Sequence, residues 1–212
     1  MSKFIFIFIL FFTGTIKSNS QTYFKIKTGI NFSKAVYLNK NNNDLVKPIR
    51  KLKSGFTGGI AIHHFLNKII SVQTEILYSQ KGLKTEQPPY ATTYNTMNYA
   101  EIPISGHYAL MRTQDSYFNI YIGGYGAYWT DGKYKRKDYY TGEISSVNVD
   151  FHNPDYKYSR IDAGILAGCI YNIKKLDFFL RYTHSMTGSS ELNTDALSNK
   201  VISFGINYVL IK

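Results

Sequence analysis

Residues 70–79 read ISVQTEILYS, and this stretch decides the class of the fold. Its even-numbered positions carry uncharged, mostly apolar side chains, whereas its odd-numbered positions carry Ser, Gln, Glu, Leu and Ser. Successive side chains of a β-strand point to opposite faces, so this alternation gives one apolar face and one mostly polar face. The stretch therefore predicts a β-strand with only one side against an apolar medium.

Seven further runs repeat this pattern, with turn-forming residues between them. Their apolar faces span residues 24–32, 56–64, 100–108, 118–128, 161–171, 176–184 and 202–210. None of these faces carries Asp, Glu, Lys or Arg, although 18% of the chain is charged. Eight strands with a charge-free side indicate a sheet whose apolar face lies against hydrocarbon.

The connections between the runs alternate between long and short. In chain order they span residues 34–53, 66–68, 80–98, 111–116, 130–159, 172–175 and 187–199. Membrane barrels have short periplasmic turns and longer outer loops, which an even number of strands places at opposite ends. The sequence thus predicts an all-β fold, an eight-stranded antiparallel up-and-down transmembrane β-barrel. Within it, Pro103 lacks the N–H that a strand ladder needs, which predicts a bulge or a bend.

The first residues have the form of a secretory signal peptide. Lys3 precedes the apolar run 4–12, and the small residues Ser18 and Ser20 follow. The apolar run is too short for a membrane-spanning helix, which needs roughly 20 residues. We expect residues 1–20 to be removed and residues 21–212 to form one barrel domain in the outer membrane of a Gram-negative cell.

The faces opposite the apolar ones carry charges of both signs. Lys25 and Lys27 lie there in the first run, and a larger set lies in the later runs. We expect the following residues to form a polar network in the barrel lumen: Glu75, Glu101, Arg160, Asp162, Asp177 and Arg181. Charges buried in a narrow lumen are costly unless they are paired. Tyr99, Tyr121, Tyr125 and Phe179 would help to fill the same space, so a diffusive pore is not expected.

The net charge of +11 points to an anionic partner, and a secretory signal argues against nucleic acid. The first long connection is strongly basic. We expect it to contact the phosphates of lipopolysaccharide through Lys47, Arg50, Lys51 and Lys53. Basic residues also crowd the third long connection, at 133–137. The competing interpretation is a solvated loop surface that binds nothing.

Four motifs in order along the chain resemble the PorT-like outer-membrane β-barrel family. They are Thr28–Ser33 (TGINFS), Tyr99–Ile104 (YAEIPI), Asp162–Gly168 (DAGILAG) and Arg181–Thr183 (RYT). The second is similar to the Tyr-x-Glu-x-Pro core of that family. The resemblance implies an outer-membrane location and an eight-stranded barrel, and some relatives are linked to protein secretion. It implies no reaction.

Candidate catalytic and metal-binding residues do not form a convincing set. His184 and Ser185, with Glu191 nearby, could suggest a hydrolase, and His63 with His64 could suggest a metal site. Adjacent strand residues point to opposite faces, which separates both pairs. The single Cys169 excludes an intrachain disulfide. We therefore expect no enzyme activity, cofactor or metal.

Three functional hypotheses remain. The first is a monomeric barrel with a structural or interaction role, embedded in outer-membrane lipid and inserted by the barrel-assembly machinery. The second is an accessory to protein secretion or surface assembly. The third is a soluble, lipocalin-like ligand carrier whose apolar face points inward.

Overall fold

The computed structural model describes residues 21–37, 49–152, 159–187 and 197–211, which form ten β-strands. The strands are β1 (Thr22–Tyr37), β2 (Ile49–Lys51), β3 (Lys53–Phe65), β4 (Ile70–Gln87), β5 (Ala91–Arg112), β6 (Ser116–Asp138), β7 (Ile144–Asn148), β8 (Ile161–Ile173), β9 (Leu176–Ser185) and β10 (Leu197–Ile211). No helix in these ranges is both long enough and apolar enough to cross a membrane.

Eight of these strands close into a ring of antiparallel neighbours. The order around the ring is β1, β3, β4, β5, β6, β8, β9 and β10, and β10 pairs with β1 to close it. Closure leaves no free edge in the ring, so the backbone hydrogen bonds are satisfied between strands. The predicted eight-stranded antiparallel barrel is confirmed.

The charge-free faces point out of the ring, and the polar faces point into it. On β4, Ile76 is 60% exposed while Glu75 is 1% exposed. On β6, Ile122 is 70% exposed while Tyr121 is 5% exposed. A soluble ligand carrier needs the opposite arrangement, with its apolar face around a central cavity. That third hypothesis is wrong.

The two ends of the barrel differ, as the connection lengths predict. One end has short turns, such as Lys174–Lys175 between β8 and β9, where Lys174 adopts a positive φ of 55°. At the other end, β4 and β5 stay paired from Tyr78 and Ala100 up to Gln87 and Ala91. The expectation of a loop over residues 80–98 is therefore wrong. This segment is mostly strand. Its backbone keeps the pairing of β4 with β5 beyond the part of the barrel whose outer surface is apolar.

The extended strands continue the same sheet beyond the ring, and we call this part of it the outer sheet. It consists of β2, the outer halves of β4, β5 and β6, and β7. Nine residues beyond Tyr78 correspond to roughly 30 Å of strand. Much of the predicted loop 130–159 belongs to this sheet, since β6 reaches Asp138 and β7 pairs back onto it.

Pro103 produces no bulge. The register between β4 and β5 is the same on both sides of it, with Thr74 opposite Ile104 and Leu77 opposite Glu101. Pro103 itself pairs with Tyr125 of β6. The missing N–H interrupts the β4–β5 ladder locally, and the flanking pairs hold the register.

Candidate functional site

The polar network of the lumen is layered along the barrel axis. In the layer nearest the short turns, Lys25 donates to Asp177 at 2.6 Å and to the Tyr117 hydroxyl at 3.2 Å. Asn172 donates to the other Asp177 oxygen at 2.7 Å. The carboxylate therefore has a cation and a neutral donor as partners, which offsets part of its desolvation.

The middle layer is centred on Glu75. Arg181 donates to both of its carboxylate oxygens, at 3.0 and 2.5 Å, and Lys27 lies 3.1 Å from one of them. The Lys27 ammonium also lies 3.9 Å from the centre of the Phe179 ring. A forked guanidinium–carboxylate pair fixes geometry as well as charge. Three strands on different sides of the ring, β1, β4 and β9, are thereby tied together.

The outer layer joins Lys81 to two carboxylates. Its ammonium lies 2.7 Å from a Glu101 oxygen and 3.9 Å from an Asp162 oxygen. The angles at the closer contact do not make a directed hydrogen bond, so this contact is an ion pair only. Ser185 donates to Asp162 at 2.6 Å. Across the three layers, four basic and four acidic side chains are buried, and their charges balance.

Aromatic and apolar side chains close the lumen at both ends of the network. At the short-turn end, the rings of Tyr23, Phe65 and Tyr117 pack edge to face. At the outer end, Trp129 and Tyr99 are fully buried, and Phe151 packs edge-on against Trp129. A gap of about 10 Å³ beside the middle layer has room for about one water molecule. Side chains thus fill the described lumen from one end of the network to the other.

The structure brings five of the six predicted lumen residues into this network, and Arg160 is the exception. Arg160 precedes β8 at the outer rim, where it donates to the Trp129 carbonyl at 3.0 Å. Its guanidinium lies 4.5 Å from the Tyr128 ring and 4.2 Å from the Phe151 ring. Because the strand begins only at Ile161, the alternation rule does not apply to Arg160.

Lys81 is the lumen residue that sequence reasoning missed. It lies in the segment expected to be a loop, yet it is 1% exposed. The signal that could have found it is the polar alternation itself, which continues past Ser79 to Lys81. Up to Tyr78, apolar residues on the outer face of β4 make the alternation easy to recognise. Beyond Ser79 that face has no apolar residues, so the alternation is harder to recognise.

The basic residues of the first long connection do not form one surface. Lys47 lies outside the described residues. Lys51 is exposed and pairs with Glu86 at 2.7 Å. Arg50 lies between Ile49 and Lys51 on β2, so its side chain points to the opposite face of the outer sheet. Lys53 is half-buried, and burial lowers its pKa.

The third long connection places its lysines differently. Lys133, Lys135 and Lys137 are exposed at alternate positions of β6. Lys135 lies opposite Tyr94 of β5, and Tyr94 lies opposite Lys84 of β4. Residues opposite one another in a ladder share a face. These lysines therefore share the face that continues the apolar exterior of the barrel.

The residues considered for chemistry are separated as their positions predict. Ser185 points inward to Asp162, whereas His184 lies outside beside the Tyr182 ring. His63 is buried against Lys25 and Ser71, whereas His64 bonds to Thr22. Glu191 lies outside the described residues. Within the described ranges, no group of three potential ligands could hold a metal ion.

Comparison with known proteins gives one family and several similar folds. Residues 14–191 match the family described as outer membrane protein beta-barrel domain. Neisserial surface protein A is 16% identical, with a TM-score of 0.47 and coverage of 91% of this chain and 100% of its own. Ail of Yersinia pestis is 13% identical, with a TM-score of 0.40 and coverage of 88% and 97%.

OprG of Pseudomonas aeruginosa is 10% identical, with a TM-score of 0.44 and coverage of 93% of this chain and 100% of its own. At these identities the likeness concerns the fold alone. No curated protein matches the sequence.

Proposed function

Because the chain belongs to the family of outer membrane β-barrel domains, we propose that it is a closed barrel with a structural or interaction role. In this proposal it conducts no solutes and catalyses no reaction. The ring anchors the protein in outer-membrane lipid, and the outer sheet meets partners at the cell surface.

The filling of the lumen by side chains is the observation that supports this proposal most directly. A pore needs a continuous wet path, whereas here ion pairs and rings fill the interior from Tyr23 to Trp129. An interior of eight strands is just wide enough for such side chains. The strands that carry most of the outer sheet are much longer than the roughly 9–11 residues needed to cross a bilayer, with 22 residues in β5 and 23 in β6. The excess length lies outside the membrane.

Several finer assignments belong to the same proposal. Residues 1–20 act as a signal peptide that is removed on export. The barrel-assembly machinery inserts the remaining chain, which functions as a monomer. The four motifs that resemble the PorT-like branch favour that branch within the wider family. A role as an accessory to protein secretion rests on this resemblance alone and would appear as a secretion defect on deletion.

The test is a measurement of conductance. The mature chain is folded in detergent, its fold is checked by its altered mobility on an unheated denaturing gel, and it is added to planar lipid bilayers. We expect no stepwise conductance above the lipid baseline, while a porin added to the same chamber gives clear steps. Reproducible steps from folded protein would overturn the proposal of a closed barrel.

A further inference from the structure

The outer sheet has one strongly basic face, which we call the basic strip. It consists of five exposed or half-exposed lysines on β2, β4 and β6: Lys51, Lys84, Lys133, Lys135 and Lys137. The register places Lys51 opposite Lys84, Lys84 opposite Tyr94, and Tyr94 opposite Lys135. One row across four strands thus holds three of the lysines, with a tyrosine between two of them.

A β-bulge determines which face carries these lysines. Tyr99 of β5 lies opposite Trp129, but Asn98 lies opposite Asp131, so Thr130 is an extra residue on β6. Below the bulge the even-numbered residues of β6 face outward, and above it the odd-numbered residues do. If Thr130 were instead paired with Asn98 in a regular ladder, Lys133, Lys135 and Lys137 would point to the inner face.

The charges of the basic strip are only partly compensated. Lys51 and Lys84 share one carboxylate, that of Glu86, at 2.7 and 2.8 Å. Within the ranges that the structure describes, Lys133, Lys135 and Lys137 form no ion pair with a carboxylate. These three ammonium groups are spaced about 7 Å apart along one strand. They are available to an anion with several charged groups.

The position of the strip indicates where that anion is held. The strip lies on the side of the sheet that continues the lipid-facing surface, beyond the outer aromatic residues Tyr78 and Tyr128. Counted along the ladder without the extra Thr130, Lys133 and Lys137 lie roughly 13 Å and 26 Å from Tyr128. Strand tilt reduces these heights by about a quarter. Phospholipid phosphates lie in one plane, whereas a phosphorylated saccharide headgroup carries phosphates at several heights.

We propose that the basic strip binds the phosphate groups of lipopolysaccharide molecules that surround the barrel in the outer leaflet. Lys133, Lys135 and Lys137 contact phosphates at successive heights by charge-assisted hydrogen bonds. Tyr94, whose ring lies 5.5 Å from the Lys84 ammonium, presents an aromatic surface to the sugar. The inference rests on the proposed outer-membrane role. It relocates the anion site from the first long connection to the third.

The experiment compares two triple variants that lose the same charge. The strip variant is K133Q/K135Q/K137Q, and the control variant is R50Q/K53Q/R136Q, whose residues lie off the strip on the same part of the sheet. Purified lipopolysaccharide is titrated into each folded protein in neutral detergent micelles. At about fivefold per lysine near a charged surface, the strip variant should bind roughly 100-fold more weakly. The control should stay within about threefold of the parent protein.

Four results would overturn the inference. The strip variant could bind as tightly as the parent, the control could lose as much affinity as the strip variant, or lipopolysaccharide stripped of phosphate could bind equally well. Micelles containing phosphatidylglycerol provide the other source of phosphate, and equal affinity for them would also reject the choice of lipopolysaccharide. Gel mobility shows that each variant is folded. Failure of the barrel proposal would appear instead as conductance of the parent protein.

Discussion

Glu75 shows at the scale of one residue how the lumen is held together. Its carboxylate is 1% exposed and pairs with Lys27 and Arg181, whose strands β1 and β9 are separated in the ring only by β10. Changing Glu75→Gln leaves two buried cations against one neutral amide. Removing one partner of a buried ion pair costs about 3–5 kcal/mol. We expect a loss of that order in the free energy of unfolding, measured by urea titration in detergent micelles.

Glu86→Gln is the matched control, because it also removes one carboxylate from between two cations. Those cations are Lys51 and Lys84, and the cluster lies at the surface, with the three side chains 51%, 26% and 15% exposed for Lys51, Lys84 and Glu86. Exposed pairs contribute little, so the urea midpoint should stay that of the parent. Equal midpoints for the two variants would show that the Glu75 network does not stabilise the barrel.

Glu86 also allows a prediction about pH. Hydrogen bonds from Lys51 and Lys84 lower the pKa of this partly exposed surface carboxyl group. A lowered pKa in the folded state means that the pairing is present above the unfolded value and is lost as pH falls through the folded one. Carbon NMR of the labelled side chain should give a titration midpoint below that of a free glutamate. K51Q/K84Q should raise it, and an unchanged midpoint would contradict the pairing.

Among single residues, the sequence predicts the lumen well wherever a strand has a visible apolar face. Glu101, Asp162, Asp177 and Arg181 follow from alternation with lipid-facing neighbours. Arg160 does not, because it lies outside its strand and contacts aromatic rings at the rim instead. Lys81 was not predicted to face the lumen for a different reason. Its strand continues beyond the lipid, where neither face needs to be apolar.

At the scale of strands, the same physical reason explains the errors at the outer end. Below the rim, burial against lipid imposes a period of two that can be read directly. Above the rim, β4, β5 and β6 keep their ladder through backbone pairing alone, with Thr, Lys and Asn alternating loosely. The residue types around Thr130 do not reveal the bulge in the sequence. Which lysines share a face therefore could not be predicted from the sequence.

Deleting Thr130 tests the bulge directly. The deletion should remove the bulge and keep Asp131 opposite Asn98, so that Lys135 stays on the outward face and Arg136 on the inward one. In a Cys169→Ala background, Lys135→Cys and Arg136→Cys report the two faces through quenching of an attached fluorophore by a lipid-anchored quencher. We expect position 135 to be quenched more than position 136 both with Thr130 and without it.

The parent protein with its native register serves as the control, and gel mobility shows that the deletion still folds. If the more strongly quenched position changes on deletion, Thr130 is a paired residue of the ladder and not the extra one. The outward facing of the odd-numbered lysines would then not come from a bulge.

For the whole molecule, the buried charges of the lumen and the exposed charges of the outer sheet should respond differently to salt. The lumen holds balanced charges shielded from solvent, while much of the chain's net charge of +11 is left to exposed segments such as the outer sheet. Screening by salt acts on exposed charges far more than on buried ones. Stability and binding should therefore respond differently to ionic strength.

Raising NaCl from 0.1 to 1 M shortens the screening length from about 10 Å to about 3 Å. We expect the urea midpoint of the folded barrel to change little, because the ion pairs around Asp177 and Glu75 have almost no contact with solvent. Affinity for lipopolysaccharide should fall more than tenfold over the same range, and the K133Q/K135Q/K137Q variant should show a shallower dependence on salt. A barrel that loses stability in parallel with binding would place the salt-sensitive charges in the lumen. Salt-independent binding would instead mean that apolar contact with the acyl chains, rather than the ammonium groups of β6, holds the lipid.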